Sequence, residues 1–217
     1  MDLLGYGQPF VKSKWDLSDE KCYNNFRRIE RVSHVFTNGW AMHPVGVRLS
    51  INDGFASTID MGEEDREIAD IYTFLEGALQ DFQAINVIEK REGNPGARGV
   101  ITIGERFSHA MGNEAELISG KVVSYFPAEF QMNTSFSKAT IMEESGSRAG
   151  ICGSNLYIDR EIYDYLLFVA RHLGFQEPII EKDKDKIILQ IFEPAGWFAD
   201  IVLDAQPVKY QKSEDYC

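Results

Sequence analysis

The segment that most constrains the fold is a predicted β-hairpin near residue 50. Its sequence, Leu49-Ser50-Ile51-Asn52-Asp53-Gly54-Phe55-Ala56-Ser57, places an Asn-Asp-Gly turn between two largely apolar runs. Asn, Asp and Gly tolerate the backbone angles of a tight turn, so the pattern predicts two adjacent antiparallel strands with a carboxylate at their tip. Turn chemistry alone is sufficient to explain Asp53. A second carboxylate, Asp2, lies at the edge of an apolar segment that is followed by Gly5 and Gly7.

Strand and helix patterns alternate along the rest of the chain. Strands are predicted at Asp2, over 45–51, 55–59, 98–105, 121–126 and 156–158, and in a second hairpin made of 179–181 and 187–192. Helices are predicted over 18–36, 68–87 and 130–144, and from a cap at Asp159 to Gly174; the segments 3–10, 89–96 and 107–120 are predicted to be loops. The order predicts an α/β (α+β sandwich) fold with a mixed, largely antiparallel, ferredoxin-like sheet and helices packed on it.

Length and net charge limit the number of domains and the classes of binding partner that the chain can have. With 217 residues and a net charge of −12, we expect one domain over residues 1–205 with a polar tail over 206–217, and no binding to nucleic acid through phosphate neutralisation. No apolar run is long enough to span a bilayer, and no signal peptide is evident, so a cytoplasmic location without a membrane span is expected. The three cysteines and four histidines are scattered, which disfavours a disulfide framework or a zinc site.

Three segments that could be read as catalytic motifs lack the residues or spacing that those motifs require. Gly5-Tyr6-Gly7 lacks the third glycine of a dinucleotide-binding loop. Lys121 is followed by Val122 and not by the Ser or Thr of a phosphate-binding loop. The segment around Cys152 lacks the glycine spacing of a nucleophile elbow.

A site with two carboxylates remains. If a strand ending at Asp2 lies beside the hairpin that turns at Asp53, both carboxylates lie at one edge, because neighbouring strands are about 4.8 Å apart. Two such groups can bind hard divalent cations, and the glycines that follow Asp2 permit a close approach of backbone amides to a triphosphate. Such a site suits phosphoryl or nucleotidyl transfer.

Three blocks in this order, MDLLGYG, SINDGF and RGVITIGE, resemble the class III nucleotidyl cyclases. The similarity is closer to the pyrimidine cyclases of the bacterial antiphage system called Pycsar, through RGVITIGE, FQMNTSFSKA and ESGSRAGICGSNLYID. The resemblance runs from Met1 to about Asp159 and implies a cyclase-like fold.

The resemblance also implies roles for single residues. Asp2 and Asp53 match the metal-binding aspartates, with Mn²⁺ or Mg²⁺ as cofactor. Arg98 matches an Arg-Gly pair and is assigned to the phosphates or base of the substrate. The triphosphate loop corresponds to the backbone of Leu3, Leu4, Gly5 and Tyr6.

Two departures from the purine cyclases bear on the substrate. Asn133 matches the transition-state asparagine, but Ser137 stands four residues after it, where an Arg is usual, and Lys138 comes next as a substitute in charge only. No Lys/Asp pair that reads a purine is evident, which favours a pyrimidine.

The expected activity is therefore conversion of UTP to 3′,5′-cyclic UMP and pyrophosphate, with CTP as the alternative substrate. The resemblance further implies a homodimer and a separate effector that senses the cyclic nucleotide in antiphage defence. Two rivals remain: a catalytically silent, nucleotide-binding module, and a cyclic dinucleotide synthase, against which the lack of a Gly-Gly-Asp/Glu-Glu-Phe turn argues.

The N-terminus carries a separate expectation. A central strand that begins at its own metal ligand leaves its neighbours without pairing partners upstream. We expect that the natural protein begins upstream of Met1 or, if Met1 is the true start, that metal binding and stability are weakened.

Overall fold

The computed structural model describes residues 1–38, 46–61, 67–107, 114–116, 123–125, 128–172, 186–192 and 198–204. The strands are β1 (Asp2–Leu3), β2 (Val47–Ile51), β3 (Gly54–Thr58), β4 (Ala97–Ile101), β5 (Glu114–Glu116), β6 (Val123–Tyr125), β7 (Leu156–Ile158), β8 (Lys186–Phe192) and β9 (Phe198–Asp204). The helices are α1 (Gln8–Lys12), α2 (Glu20–Asn38), α3 (Glu67–Arg91), α4 (Thr134–Ser145) and α5 (Arg160–His172). No described helix is both long and apolar enough to cross a membrane.

Five strands form one mixed sheet in the order β2-β3-β1-β4-β7. The pairs β2–β3, β3–β1 and β1–β4 are antiparallel, and β4–β7 is parallel. β1 is only two residues long, yet it is hydrogen-bonded on both sides. The chain is thus a mixed α/β protein with a mostly antiparallel sheet, and the predicted hairpin is confirmed.

The two faces of the sheet are covered differently. Leu3, Phe55 and Ala97 face a core built mainly from α2 and α3, and Ile101 faces a second cluster from α3 and α5. Side chains alternate along a strand, so Asp2, Arg98 and Thr102 face the opposite side. There α4 packs, with the Thr102 hydroxyl donating to the Ser135 carbonyl at 2.7 Å.

A buried polar network ties α2 to α3 and to the loop after β1. The Arg28 guanidinium donates to both carboxylate oxygens of Glu89 and, at 3.1 Å, to the carbonyl of Leu4. Asn25 accepts a hydrogen bond from Arg28 at 3.1 Å and donates to the carbonyl of Tyr6. This network fixes both the distance between the helices and the path of the loop over residues 4–6.

The structure corrects several sequence predictions. α1 begins inside the predicted loop over 3–10. Pro9 lies in the first turn of this helix, where no intrahelical hydrogen bond requires its missing N–H. The predicted loop over 89–96 begins inside α3, and Glu89 is buried against Arg28 instead of solvated. The predicted loop over 107–120 contains β5.

Other differences concern pairing and helix ends. β8 pairs with β9, a strand that the sequence did not predict; the segment 179–181 and Gly174 lie outside the described residues, as does the tail over 206–217. α2 begins at Glu20 rather than at Ser18, because the Asp16 carboxylate accepts the Ser18 amide and Asp19 accepts the Lys21 amide at 2.8 Å. Asp159 caps α5 as predicted, accepting the Glu161 amide at 3.2 Å.

The buried pair has an exposed counterpart one helical turn away, which permits a matched test. The side chains of Arg28 and Glu89 are 7% and 1% exposed, whereas those of Arg31 and Glu92 are 36% and 34% exposed. Glu89→Ala leaves a buried guanidinium without its counter-charge, so we expect it to lower the free energy of unfolding by about 3–5 kcal/mol. Glu92→Ala should cost less than about 1 kcal/mol.

Urea denaturation of the two variants measures both values. Equal losses for Glu89→Ala and Glu92→Ala would contradict a structural role for the buried pair. If Glu89→Ala does not fold, Glu89→Gln gives the comparison with a smaller perturbation.

Candidate functional site

The centre of the candidate site is Asp2 on β1. Asp2 lies opposite Gly54 of β3 on one side and opposite Arg98 of β4 on the other. The Leu3 amide donates to the carbonyl of Asp53 at 3.1 Å, so the tip of the hairpin is held directly against β1. The fold therefore brings Asp53 beside β1, opposite Leu3, and its charge acts on Asp2.

Negative charge accumulates around Asp2. Burial raises the pKa of Asp2 to about 6, with further contributions from the charges of Asp53 and Glu143, against the opposing effects of the Met1 ammonium and Arg98. The Asp53 carboxylate accepts a hydrogen bond from the Asn52 amide group at 2.9 Å. The charge of Asp53 disfavours ionisation of the partly buried Asp2, and such a place is a setting in which a cation is stabilising.

Arg98 points to the same face and is held by two partners. Its guanidinium donates to Glu143 through Nε, at 3.2 Å, and through Nη2. Nη1 donates to the Ile151 carbonyl at 3.2 Å. These contacts use three of the five N–H donors of the guanidinium, which leaves two for a substrate.

Glu143 is the site residue that the sequence analysis missed. It lies near the end of α4, within the predicted helix 130–144, and it both binds Arg98 and raises the pKa of Asp2. The helical spacing alone did not show which face of α4 meets the sheet. The signal available in the sequence was an acidic residue within the predicted helix 130–144.

The predicted triphosphate loop is largely occupied by its own hydrogen bonds. The amides of Leu3, Leu4 and Tyr6 donate to the carbonyls of Asp53, Gly96 and Leu3, at 3.1, 2.9 and 3.4 Å. Gly5 has a φ of +69°, a conformation that glycine adopts without strain, and it turns the chain from β1 toward α1. The Gly5 amide is thus the member of this loop best suited to donate to a phosphate.

Asn133 and Lys138 have structural partners away from the two aspartates. The Asn133 side chain caps α4 by accepting the Phe136 amide at 2.9 Å and the Ser135 hydroxyl at 2.6 Å. Lys138 forms ion pairs with Asp159 and, at 2.7 Å, with Glu161. These bonds explain both residues as supports of α4 and α5, and no contact links either of them to Asp2 or Arg98.

The residues at the site suit a hard divalent cation. Asp2 and Asp53 offer carboxylate oxygens, the donors that Mg²⁺ and Mn²⁺ prefer. No described group of three or more His, Cys, Asp and Glu side chains forms a metal-binding cluster. Such ions are commonly held by one or two carboxylates together with substrate phosphates, and two carboxylates are what the site supplies.

Comparisons of the chain with protein-family models, with curated proteins and with solved structures found no match in any of the three.

The raised pKa of Asp2 predicts a pH effect on stability in metal-free protein. The folded-state pKa of about 6 lies above the ordinary value of 3.8, so the folded state binds the extra proton and Asp2 lowers stability as pH rises from 4 to 7. Asp2→Asn removes this loss. The free energy of unfolding of the variant, relative to wild type, should therefore rise by about 2 kcal/mol from pH 4 to pH 7 after allowance for solvent screening.

Asp16→Asn is the matched control with the opposite sign. Hydrogen bonds from the hydroxyl and amide of Ser18 lower the pKa of Asp16, so its charge is stabilising above its ordinary pKa and this stability is lost in acid. The free energy of unfolding of Asp16→Asn, relative to that of wild type, should therefore fall as pH rises. Urea denaturation in EDTA at several pH values measures both, and a pH-independent difference for Asp2→Asn would contradict the electrostatics described above.

Proposed function

We propose that this protein is a metal-dependent pyrimidine nucleotide cyclase. The observation that carries the proposal is the meeting of Asp2 from β1 and Asp53 from the β2–β3 turn, beside Arg98 on β4. These are three of the residues that the resemblance to the class III cyclases assigns to the metal and to the substrate. They come from parts of the chain almost one hundred residues apart, and turn chemistry at Asp53 does not account for their convergence.

The sheet supports the same family. β1, α2, β2, β3, α3 and β4 follow one another as strand, helix, hairpin, helix and strand, with β1 between β3 and β4. This order matches a ferredoxin-like βαββαβ unit, the finer fold that the sequence predicts and on which a class III cyclase-like domain is built. α1 and the segments from β5 onward are additions to that unit.

In the proposed reaction, the ribose 3′-hydroxyl attacks the α-phosphorus of the nucleoside triphosphate. A bond forms between the 3′-oxygen and phosphorus, the bond to the bridging oxygen of the β-phosphate breaks, and pyrophosphate leaves. Asp2 and Asp53 would hold a divalent cation, which would neutralise charge on the phosphates and favour ionisation of the 3′-hydroxyl, whose proton would pass to solvent. Mn²⁺ or Mg²⁺ fits the donor set.

The residues of the chain itself bind and orient the substrate. Arg98, 13% exposed at its side chain, is held in place by Glu143 and Ile151 and donates its two remaining N–H groups to a phosphate or to the base. A fixed guanidinium stabilises charge that develops in the transition state better than a mobile one, because it needs no reorganisation. The Gly5 amide is a second donor to the triphosphate.

The substrate is a pyrimidine nucleotide, with UTP preferred over CTP. Support comes from the similarity of the Arg98 and α4 segments to the Pycsar cyclases and from the absence of a purine-reading Lys/Asp pair in the sequence. By the same similarity, the protein acts as a homodimer with sites at the interface, and its cyclic product activates a separate effector.

An assay with purified protein tests the activity. The protein is incubated with Mn²⁺ and each of UTP, CTP, ATP and GTP, and cyclic products are identified by mass spectrometry. We expect cyclic UMP as the main product. Asp2→Asn and Asp53→Asn should each lower the rate by at least about 100-fold, because each removes one carboxylate from the proposed cation site.

Asp164→Asn is the control, since Asp164 is 54% exposed on α5 and, within the described part of the chain, its ion pair is with the exposed Arg160. Its rate should equal that of wild type. No cyclic product from any of the four nucleotides would contradict the cyclase proposal. If Mn²⁺ with UTP nevertheless raised the melting temperature of wild type but not of Asp53→Asn, the alternative of a silent nucleotide-binding module would replace it.

A further inference from the structure

The loop between α4 and β7, residues 146–155, contacts Arg98 through its backbone. The carbonyl of Ile151 accepts a hydrogen bond from Nη1 of Arg98 at 3.2 Å. The Ile151 side chain is 1% exposed, so the middle of the loop is anchored in the protein interior. This loop and Tyr157 of β7 both belong to the block ESGSRAGICGSNLYID, to which the proposed reaction assigns no role.

The 146–155 loop is attached to β4 on both sides of the arginine. The Gly99 amide donates to the carbonyl of Asn155 at 3.0 Å. On the other side, the side-chain oxygen of Asn86 accepts the Ala97 amide at 2.8 Å and the Ser154 hydroxyl at 2.6 Å. The end of the loop is therefore held in register with the two neighbours of the arginine.

The hydroxyl group of Tyr157 holds the loop on both sides of Ile151. It accepts the Cys152 amide at 2.9 Å. Its single proton can go to the carbonyl of Cys152, at 2.9 Å, or to that of Gly150, at 3.3 Å. One hydroxyl thus constrains the residues before and after the carbonyl that the arginine binds.

Tyr157 reaches the loop from the face of the sheet that carries the candidate site. It lies opposite Val100 in the parallel pair of β4 and β7. Val100 is two residues from Arg98, and alternate residues of a strand face the same side of the sheet. The side chain of Tyr157 therefore lies on the same side as those of Arg98 and Asp2.

Two anchors are needed to fix the plane of the Arg98 guanidinium. Nε and Nη2 both donate to one oxygen, Oε1 of Glu143, and a group held at one oxygen can pivot about it. The bond from Nη1 to the Ile151 carbonyl is the second anchor. The N–H groups that remain, one on Nη1 and one on Nη2, then keep a fixed direction, as bidentate binding of a phosphate requires.

We propose that Tyr157 is a positioning residue of the candidate site. Its hydroxyl fixes the Ile151 carbonyl and, through that carbonyl, the direction in which Arg98 faces the substrate. The inference rests on the proposed function, because Arg98 is taken to bind the nucleotide. Tyr157 acts through Arg98 and does not itself bind the substrate, so the loss of its hydroxyl should matter only where Arg98 is present.

A double-mutant cycle separates positioning of Arg98 from general support of the fold. Tyr157→Phe removes the hydroxyl and keeps the ring. With Mn²⁺ and UTP, we expect it to lower kcat/KM about 5- to 10-fold, the equivalent of one hydrogen bond. The loss should lie mainly in kcat, because a mobile guanidinium must reorganise in the transition state. In an Arg98→Lys background, the same change should alter kcat/KM by less than about 2-fold.

Tyr23→Phe is the matched control, because it removes a hydroxyl from a tyrosine that is 59% exposed on α2. It should leave kcat/KM unchanged in both backgrounds. An equal loss from Tyr157→Phe with Arg98 and with Lys at that position would overturn the proposal, since Tyr157 would then support the fold and not Arg98. The absence of any loss in the wild-type background would overturn it as well.

A second measurement needs neither nucleotide nor turnover. In protein labelled with ¹⁵N-arginine, the guanidinium signal of Arg98 is assigned by its absence from Arg98→Lys. Tyr157→Phe should speed rotation about the bond between Cζ and Nη1 of Arg98 at least about 5-fold, whereas Tyr23→Phe should leave the rate unchanged. An unchanged rate in Tyr157→Phe would refute the positioning of Arg98.

Failure of the positioning and failure of the proposed cyclase activity are therefore distinguishable. If wild type makes no cyclic product but Tyr157→Phe still frees the guanidinium, the activity is refuted and the positioning of Arg98 by Tyr157 stands. If wild type is active and the rotation rate does not respond to Tyr157→Phe, only the positioning is refuted.

Discussion

Pairing of β1 on both sides is the constraint on which the rest of the structure depends. This strand has two residues, yet it joins the β2–β3 hairpin to the β4–β7 pair, and without it the five-stranded sheet would separate into two pieces. The side chains of its two residues face opposite sides of the sheet. Leu3, 1% exposed, enters the core with α2 and α3, and Asp2 enters the opposite face with Arg98 and Glu143.

Because β1 is so short, its position must be held from outside. The buried Arg28 does this by reaching Leu4 from α2 while it pairs with Glu89 of α3. Asn25 also holds this segment, by donating a hydrogen bond to the carbonyl of Tyr6. A buried ion pair gains little stability over apolar packing, but it places its hydrogen bonds at one register, and here that register sets where Asp2 and the loop behind it lie.

The electrostatics of the candidate site follow from this placement. Asp2 is carried into a partly buried position next to Asp53 and Glu143, and Arg98 and the Met1 ammonium oppose the accumulated negative charge. Glu143 in turn accepts hydrogen bonds from part of the Arg98 guanidinium. A divalent cation bound by the two aspartates would relieve the repulsion, and this makes the same arrangement favourable for nucleotide phosphates that arrive with the metal.

Local chemistry made much of this fold predictable. The Asn-Asp-Gly turn gave the hairpin, the run of β-branched residues after Gly99 gave β4 as an interior strand, and Asp159 marked the start of α5. These signals lie within a few residues of the structure that they specify.

Long-range partners were not predictable from the sequence. Glu89 was taken for a solvated residue because its partner, Arg28, lies 61 positions away. Glu143 was missed because the face of α4 that meets the sheet is decided by packing. β9 is absent from the sequence prediction although Ile201, Val202 and Leu203 form an apolar, partly β-branched run typical of a strand; in the structure it pairs with β8.

The central claim, that Asp2 and Asp53 together hold the cation of a nucleotidyl cyclase, is tested most directly by anomalous scattering. Crystals grown with Mn²⁺ and a non-hydrolysable UTP analogue would be measured near the manganese absorption edge. The account predicts an anomalous peak within about 2.3 Å of a carboxylate oxygen of both residues, with the triphosphate on the same peak. Manganese bound to only one of the two aspartates, or to neither, would contradict it.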